Sequence, residues 1–158
     1  MKKLLSLLPA LLLGLAVSSC SDHDGKDMPD VNISLEYSGG ATVDNHIVVE
    51  QGQTLSIDGL YVTPAEGTKN ATLGLTTYYW DFVPFETTAI VPFQASISTE
   101  GMELGHHVLQ VRTSIYQIDR EMAWGVFSYD VEVVEPSLSN PEPAGGTLVP
   151  EARITSAD

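Results

Sequence analysis

Four histidines are the first side chains in the sequence that could do chemistry as metal ligands, and their spacing decides whether they can. His106 and His107 are adjacent, and adjacent residues of a strand point to opposite faces, so the two cannot chelate one ion without a bulge. His107 falls in the inward register beside Leu109, which predicts a core-edge histidine with satisfied hydrogen bonds. His23 and His46 have no ligand partners at useful spacing. The sequence therefore predicts no metal site and no cofactor.

Carboxylates are the second group that could do chemistry, as acid and base. Asp81 precedes Glu86 and Asp119 precedes Glu121, but both pairs fall in predicted turns of a very acidic chain. Acid–base catalysis needs two such groups facing one substrate with their pKa values pushed apart. The sequence contains neither a Gly-x-Ser-x-Gly nucleophile motif nor a glycine-rich phosphate loop. These observations predict that the protein is not an enzyme.

Aromatic side chains are the third group, and they could bind a ligand without reacting with it. In the stretch 78–82, Tyr78, Trp80 and Phe82 share one face of a predicted strand and Tyr79 lies on the other. Trp124 falls on the outward register of its strand. Exposed aromatics can stack on sugar rings or form the centre of a protein interface. Tyr79, Trp80 and Trp124 are therefore the candidate binding residues, the alternative being that sheet twist or a second sheet covers them.

The elements that position these residues are predicted to be strands throughout. Apolar and polar residues alternate with period two in about seven segments, separated by turn residues, and no segment has a convincing helical pattern. Pro92 cannot donate to a sheet ladder, which places its segment at a sheet edge, and Gly125 is expected to mark a bulge. The seven segments are 31–37, 46–50, 55–62, 71–82, 89–97, 107–115 and 123–133.

The last two segments resemble the final hairpin of immunoglobulin-like and PKD-like modules of bacterial surface proteins. The resemblance is carried by Gly105-x-His107-x-Leu109-x-Val111, an acidic turn and a closing hydrophobic strand, with Trp80 where such modules often place a core tryptophan. It spans roughly residues 31–135. It implies an all-β domain, a single immunoglobulin-like sandwich of about seven antiparallel strands. The immunoglobulin disulfide is absent, so only the architecture carries over.

The start of the chain has the layout of an export signal. Lys2 and Lys3 precede an apolar run of 14 residues, 4–17, which is shorter than the roughly 20 residues that span a bilayer. The following Val17-Ser18-Ser19-Cys20 resembles the lipobox of bacterial lipoproteins. That resemblance implies cleavage of a signal peptide, residues 1–19, and acylation of Cys20. The alternative is a chance cysteine beside an ordinary cleavage site, but this is the chain's one cysteine.

Two further segments flank the predicted domain. Residues 20–30 are expected to be an acidic flexible tether, and 21–27 resemble the acidic export tag of Bacteroidetes lipoproteins on the outer face of the cell, with His23 interrupting the acidic run. A plain solvated tether is the alternative, and half a calcium loop at Asp22-x-Asp24-Gly25 is a weaker one. Residues 136–158 are rich in Pro, Ser, Gly and acidic residues, which predicts a disordered tail.

The net charge of the chain limits the classes of partner that it can bind. Removal of the signal peptide leaves 5 of the 7 basic side chains against 21 acidic ones, a formal net charge of −16. Binding to phosphates needs clustered Lys and Arg, so nucleic acid is excluded as a partner. The sequence thus predicts an exported protein, lipid-anchored to the bilayer of the outer membrane and surface-exposed, whose sandwich is a non-catalytic interaction domain for a protein complex or adhesion. A small carbohydrate-binding lipoprotein that uses exposed aromatics to hold a glycan is the alternative.

Overall fold

The computed structural model describes residues 27–137 and 145–156, and every regular element in these two ranges is a β-strand. The prediction of an all-β chain is confirmed. The two ranges contain eleven strands rather than about seven: β1 Val31–Ser38, β2 Ala41–Val43, β3 His46–Glu50, β4 Thr54–Pro64, β5 Ala71–Trp80, β6 Val83–Thr88, β7 Ala95–Ser98, β8 Gly105–Gln117, β9 Ala123–Val134, β10 Gly146–Leu148 and β11 Glu151–Ser156.

Two sheets enclose one apolar core, an arrangement consistent with a β-sandwich. The smaller sheet has the order β10-β1-β4-β7, and the larger has the order β2-β3-β9-β8-β5-β6 with β11 also paired to β9. Alternate residues of the long strands β8 and β9 enter the core together with those of β1 and β4. Each fully buried aliphatic or aromatic side chain stabilises the fold by about 1.5–3 kcal/mol. Twelve large side chains are buried to below 2% exposure in the described ranges, which supplies a core that no disulfide has to support.

Two local predictions are wrong. Residues 89–97 do not form one strand, because a turn interrupts them: Phe93 has a φ of 66° and its N–H donates to the Ile90 carbonyl. Pro92 lies in this turn. Only Ala95–Ser98 forms a strand, which pairs with β4 and is an edge of the smaller sheet. Gly125 is not a bulge, since the ladders of β9 with β8 and β11 run through it without a register shift. Its missing Cβ instead leaves room for the Phe127 ring, which a Cβ would approach to 2.6 Å.

The predicted disordered tail is wrong for its described part, 145–156. Here β10 pairs with β1 and β11 pairs with β9, so the chain beyond residue 135 adds a strand to each sheet. Leu148 is 5% exposed and belongs to the core, which gives the segment the apolar burial that a disordered chain lacks. Composition predicts disorder here, but the prolines of this segment all lie outside the residues that pair in β10 and β11. Among the strands of the two described ranges, the pair β3–β9 is parallel and is the one exception to the prediction of antiparallel strands.

The sandwich has an entry end and a far end, named here by where the chain comes in. At the entry end, Asp27 contacts Arg120 at 3.1 Å and Val31 pairs with Pro64. At the far end, β5 turns into β6 close to the start of β8. Phe82 was expected on the core face with Tyr78, but the chain turns at Asp81 and Phe82, whose φ angles are 47° and 68°, and Phe82 is 69% exposed.

Candidate functional site

The outer face of the larger sheet collects the polar side chains of its two long central strands. Even-numbered residues of β8 and β9 point away from the core because the odd-numbered ones fill it. The register aligns these outward residues in rows across the sheet. One row is Tyr79–Gln110–Ser128, the next is Thr77–Arg112–Val126–Arg153, and a third contains Ser114, Trp124 and Thr155.

A groove of about 620 Å³ lies on this face, and it is the candidate site. Its floor is provided by Val108, Gln110, Val126 and Ser128 of the two central strands. In the described ladders, β11 pairs with β9 up to Ser128, and β3 pairs with it from Val131 onward. The groove therefore lies beside the interruption between two strands that share one edge of β9.

The walls of the groove come from loops that the sheet topology brings to this interruption. Asn45, in the turn between β2 and β3, lies on one side. Val149 and Pro150 lie on the other, in the two-residue connection that carries the chain from the smaller sheet to the larger one. Val149 is 69% exposed. Arg153 follows on β11 and completes the lining.

Arg112 and Trp124 form a stacked pair beside the groove. The Arg112 guanidinium carbon lies 4.7 Å from the centre of the Trp124 ring, a cation–π contact between diagonal neighbours on β8 and β9. Trp124 is half-buried and Arg112 is exposed. The outward register predicted for Trp124 is confirmed. The side chain that rests on its ring is, however, one of the chain's own, and a ligand would meet the guanidinium there.

Tyr79 and Trp80 have different environments. Tyr79 is half-buried on the outer face, where it pairs with the groove residue Gln110 on one side and with Pro84 on the other. Trp80 is 8% exposed and packs against His107, with ring centres 5.2 Å apart. Trp80 is a core residue and is not available as a stacking platform, because its face of β5 is the one that fills the sandwich.

His107 ties the far end together, and its expected role as a satisfied core-edge histidine is confirmed. Its Nδ1 lies 2.6 Å from Oδ2 of Asp81 and its Nε2 lies 2.9 Å from the Glu103 carbonyl. Asp81 Oδ1 also accepts a hydrogen bond from the Val108 N–H at 2.9 Å. Desolvation opposes charge on both side chains, but the hydrogen bonds and mutual attraction outweigh it. The pKa of His107 is therefore raised and the pKa of Asp81 is lowered.

The other candidate chemistry is dispersed. His106 lies on the opposite face from His107 and contacts Asp130 at 3.2 Å, and Asp119 is in contact with Lys69. Asp130 is the one carboxylate among the described residues that line the groove, whereas acid–base hydrolysis uses two. Within residues 27–137 and 145–156, no group of three His, Cys, Asp or Glu side chains has a geometry that could hold a metal ion. The groove is thus equipped for hydrogen bonding and charge recognition.

The predicted lipid anchor, Cys20, lies outside the described residues, as do the signal peptide and residues 20–26 of the tether. No helix found in the described part of the chain has both the length and the apolar character needed to cross a membrane.

Sequence reasoning missed most of the groove. Gln110 and Ser128, and Arg112 beside the groove, could have been found, since they stand on the outward register of two correctly predicted strands. Arg153 could not, because its segment has the composition of a disordered tail. The position of the groove depends on which strands share the edge of β9, and alternation along a single strand carries no information about that.

Comparisons with known proteins give no relative. No protein-family model, no curated protein and no solved structure matches the chain.

Proposed function

We propose that the protein is a non-catalytic binding lipoprotein, held on the outer membrane by acylated Cys20 and carrying an immunoglobulin-like sandwich exposed at the cell surface. The apolar leader, the lipobox-like Val17–Cys20 and the acidic residues that follow support the anchor. At most six residues separate Cys20 from Asp27, so a tether extending about 3.3–3.6 Å per residue holds the entry end of the domain within about 25 Å of the membrane.

The single observation that carries the binding function is the groove on the outer face of the larger sheet. Its lining offers an amide at Gln110, a hydroxyl at Ser128, a guanidinium at Arg153 and a carboxylate at Asp130. Protein interfaces are built around cores depleted in charged residues, whereas ligand sites use a few convergent polar groups to fix orientation. This set of donors and acceptors suits a ligand rich in hydroxyl groups. Among the two functions expected from the sequence, the groove therefore favours carbohydrate binding.

The ring of Tyr79 supports the same conclusion. It stands beside Gln110 in the row that crosses the groove floor, so a sugar hydrogen-bonded to Gln110 would have an aromatic residue on the neighbouring strand. Aromatic faces attract the C–H surfaces of pyranose rings while amides and hydroxyls read the ring's oxygen atoms.

Titration of the detergent-purified mature protein with a panel of oligosaccharides, followed by calorimetry, tests the proposal. At least one saccharide should bind, and Gln110→Ala combined with Ser128→Ala should weaken its affinity about tenfold or more, as expected for two lost hydrogen bonds. Ser34→Ala, on the outer face of the smaller sheet, is the matched control and should bind like the parent. The absence of heat with every saccharide would contradict the proposal.

Replacement of Cys20 with Ala tests the anchor separately. The variant should remain unprocessed or be released from membranes, as fractionation and intact mass would show. If it is still cut after Ser19 and stays bound as tightly as the parent, the acylation proposal is wrong.

A second candidate function, docking of a protein partner in a complex or adhesion, is favoured by the far end of the sandwich. Phe82 is 69% exposed and Val83 is 65% exposed at the tip of the β5–β6 turn. Two-residue hairpin turns with both φ angles positive normally use Asn-Gly or Asp-Gly, and here Phe82 stands in the glycine position. A bulky residue kept in a strained position without burial is a reasonable sign of function.

The charges around the turn specify the partner for this second candidate. Asp81 and Glu103 lie beside the turn. The described Lys and Arg residues lie elsewhere, at the entry end or on the outer face of the larger sheet. The partner would therefore present an apolar pocket ringed by basic side chains. Photo-crosslinking from position 82 in intact cells should give a salt-sensitive adduct, and the same probe at Ile118 of the entry end should not. Equal adducts from both positions would contradict this candidate.

A further inference from the structure

The charge of the groove differs from that of the chain. The described residues contain four Lys and Arg side chains, and two of them are paired at the entry end: Lys69 with Asp119, and Arg120 with Asp27 at 3.1 Å. Within the described ranges, Arg112 and Arg153 have no carboxylate within ion-pair distance. In a chain with 21 acidic side chains, two unpaired guanidiniums on one face of one sheet are a local concentration of positive charge.

The sheet register holds these two arginines at a spacing that fits one ligand. Arg112 on β8 and Arg153 on β11 both pair with Val126, so they flank it from opposite sides in a single row. Neighbouring strands lie about 4.8 Å apart, which separates the two Cα atoms by about 10 Å. Both side chains point outward from the same face, so an anionic group lying over Val126 is within reach of both.

Trp124 prepares Arg112 for this role. The guanidinium carbon lies 4.7 Å from the indole centre, and this cation–π contact restrains the Arg112 side chain on the outer face. A planar guanidinium presents paired donors that match the two oxygens of a carboxylate or a sulfate. Part of the conformational entropy that the Arg112 side chain would lose on binding is therefore already lost in the free protein.

The groove is polarised along its length. Asp130 stands on β9 four residues beyond Val126, about 13 Å along the strand, and it contacts His106 at that end. Gln110 and Ser128 lie between the two ends. A bound anion would therefore sit at the arginine row, while hydroxyl groups would meet the amide, the serine and the carboxylate beyond it.

We infer that the groove, together with Arg112 beside it, binds an acidic saccharide. Its carboxylate or sulfate is held by Arg112 and Arg153 over Val126, and its hydroxyl groups bind Gln110 and Ser128. The inference rests on the proposed function, since it names the class of sugar that the same groove takes. It predicts that binding depends on the ligand's negative charge at the arginine end of the groove and on the ligand's hydroxyl groups at Gln110 and Ser128.

Calorimetric titration of the mature protein with matched acidic and neutral saccharides tests the inference. The pairs are oligogalacturonate with its methyl ester and chondroitin sulfate with its desulfated form, so that carboxylate and sulfate are examined separately. At least one acidic form should bind about tenfold or more tightly than its neutral partner. Arg112→Gln and Arg153→Gln should each remove most of that preference, because each should weaken binding of the acidic form more than binding of its neutral partner.

The controls separate failure of the inference from failure of the proposed function. Arg120→Gln removes the same charge at the entry end and should bind like the parent; a loss equal to that of Arg112→Gln would show a diffuse charge effect and overturn the inference. A different result is that acidic and neutral forms bind equally well, with affinities that neither Arg112→Gln nor Arg153→Gln changes but that the Gln110→Ala and Ser128→Ala variant loses. That result would overturn the inference and leave the proposal of carbohydrate binding intact. Inorganic sulfate that competes as well as the saccharide does would overturn the sugar assignment. No binding to any saccharide would overturn both proposals.

Discussion

Two tyrosines in the core provide a matched test of its packing, because they differ in one hydrogen bond. Tyr78 of β5 and Tyr129 of β9 are 0% and 4% exposed, and burial raises the pKa of both phenols. The Tyr78 hydroxyl donates to the Phe93 carbonyl. The buried Tyr129 hydroxyl has no hydrogen-bond partner among the described residues. Replacement of each by Phe removes the same oxygen atom from two sites, one where it is hydrogen-bonded and one where it is not.

The expected changes in the free energy of unfolding follow from these contacts. Tyr78→Phe removes a buried hydrogen bond and leaves the Phe93 carbonyl without its donor, which should destabilise the domain by about 1–3 kcal/mol. Tyr129→Phe removes a polar atom that was desolvated without compensation, so it should be neutral or stabilising by about 1 kcal/mol. The two variants should differ by about 2 kcal/mol, or roughly 6–10 °C in Tm for a domain of this size.

Urea unfolding followed by tryptophan fluorescence measures both values, and an unchanged m-value shows that the same surface is exposed in each variant. The double variant checks that the two effects add. If Tyr129→Phe costs as much as Tyr78→Phe, the Tyr129 hydroxyl is satisfied in solution, for example by a buried water, and the reasoning about this site is wrong.

Three further predictions concern the far end and the core. Phe82→Gly should raise the free energy of unfolding by up to about 1 kcal/mol in a denaturant titration, because a left-handed L-residue costs about 1–2 kcal/mol and the flexibility of glycine in the unfolded chain returns part of it. The Asp81–His107 contact should stabilise the domain most between about pH 4 and 6.5: the contribution of His107 is lost as pH rises from 6.5 through its raised pKa, and that of Asp81 is lost as pH falls from 3.8 through its lowered pKa. Unfolding of the parent and of His107→Gln, measured from below pH 3.8 to above pH 6.5, should show a difference in unfolding free energy that shrinks on both sides of this window. A difference that does not depend on pH would contradict the prediction. Gly125→Ala should cost about 1–3 kcal/mol in a thermal melt, because its Cβ would lie 2.6 Å from the buried Phe127 ring; an unchanged Tm would show that the core adapts there.

The sequence predicts the faces of the long strands well because each face is a local property. In β8, the inward set Leu109, Val111, Thr113 and Ile115 is buried as alternation predicts. Short strands with two exposed faces carry no such signal, and β6, with its residues Pro84 and Glu86, went unpredicted for that reason. The break in the predicted strand 89–97 had no periodic signal either, since Phe93 continues the apolar alternation while its backbone turns.

The candidate site was less predictable than the fold because the sequence identifies aromatic side chains by type, whereas their exposure depends on their position in the sheets. Trp80 is a large aromatic on a core face, and Trp124 is an outward one whose ring is occupied by Arg112. The residues that shape the groove are ordinary polar side chains, such as Gln110 and Ser128, which become a site only through cross-strand register. That register joins residues about 18 positions apart in sequence, beyond the reach of a local pattern.

The tail is what turns a sheet face into a groove. Without residues 145–156, the edge of β9 from Ala123 to Ser128 would have no strand beside it, and an unpaired edge of that length invites association with other chains. The chain avoids this by burying Leu148 against the smaller sheet and then crossing at Val149 and Pro150 to pair β11 with β9. The residues of this crossing also form one wall of the groove, and the pairing of β11 places Arg153 in the same cross-strand row as Arg112. Edge protection and the proposed ligand recognition therefore depend on one segment, and the folded domain extends past residue 135 to the end of β11.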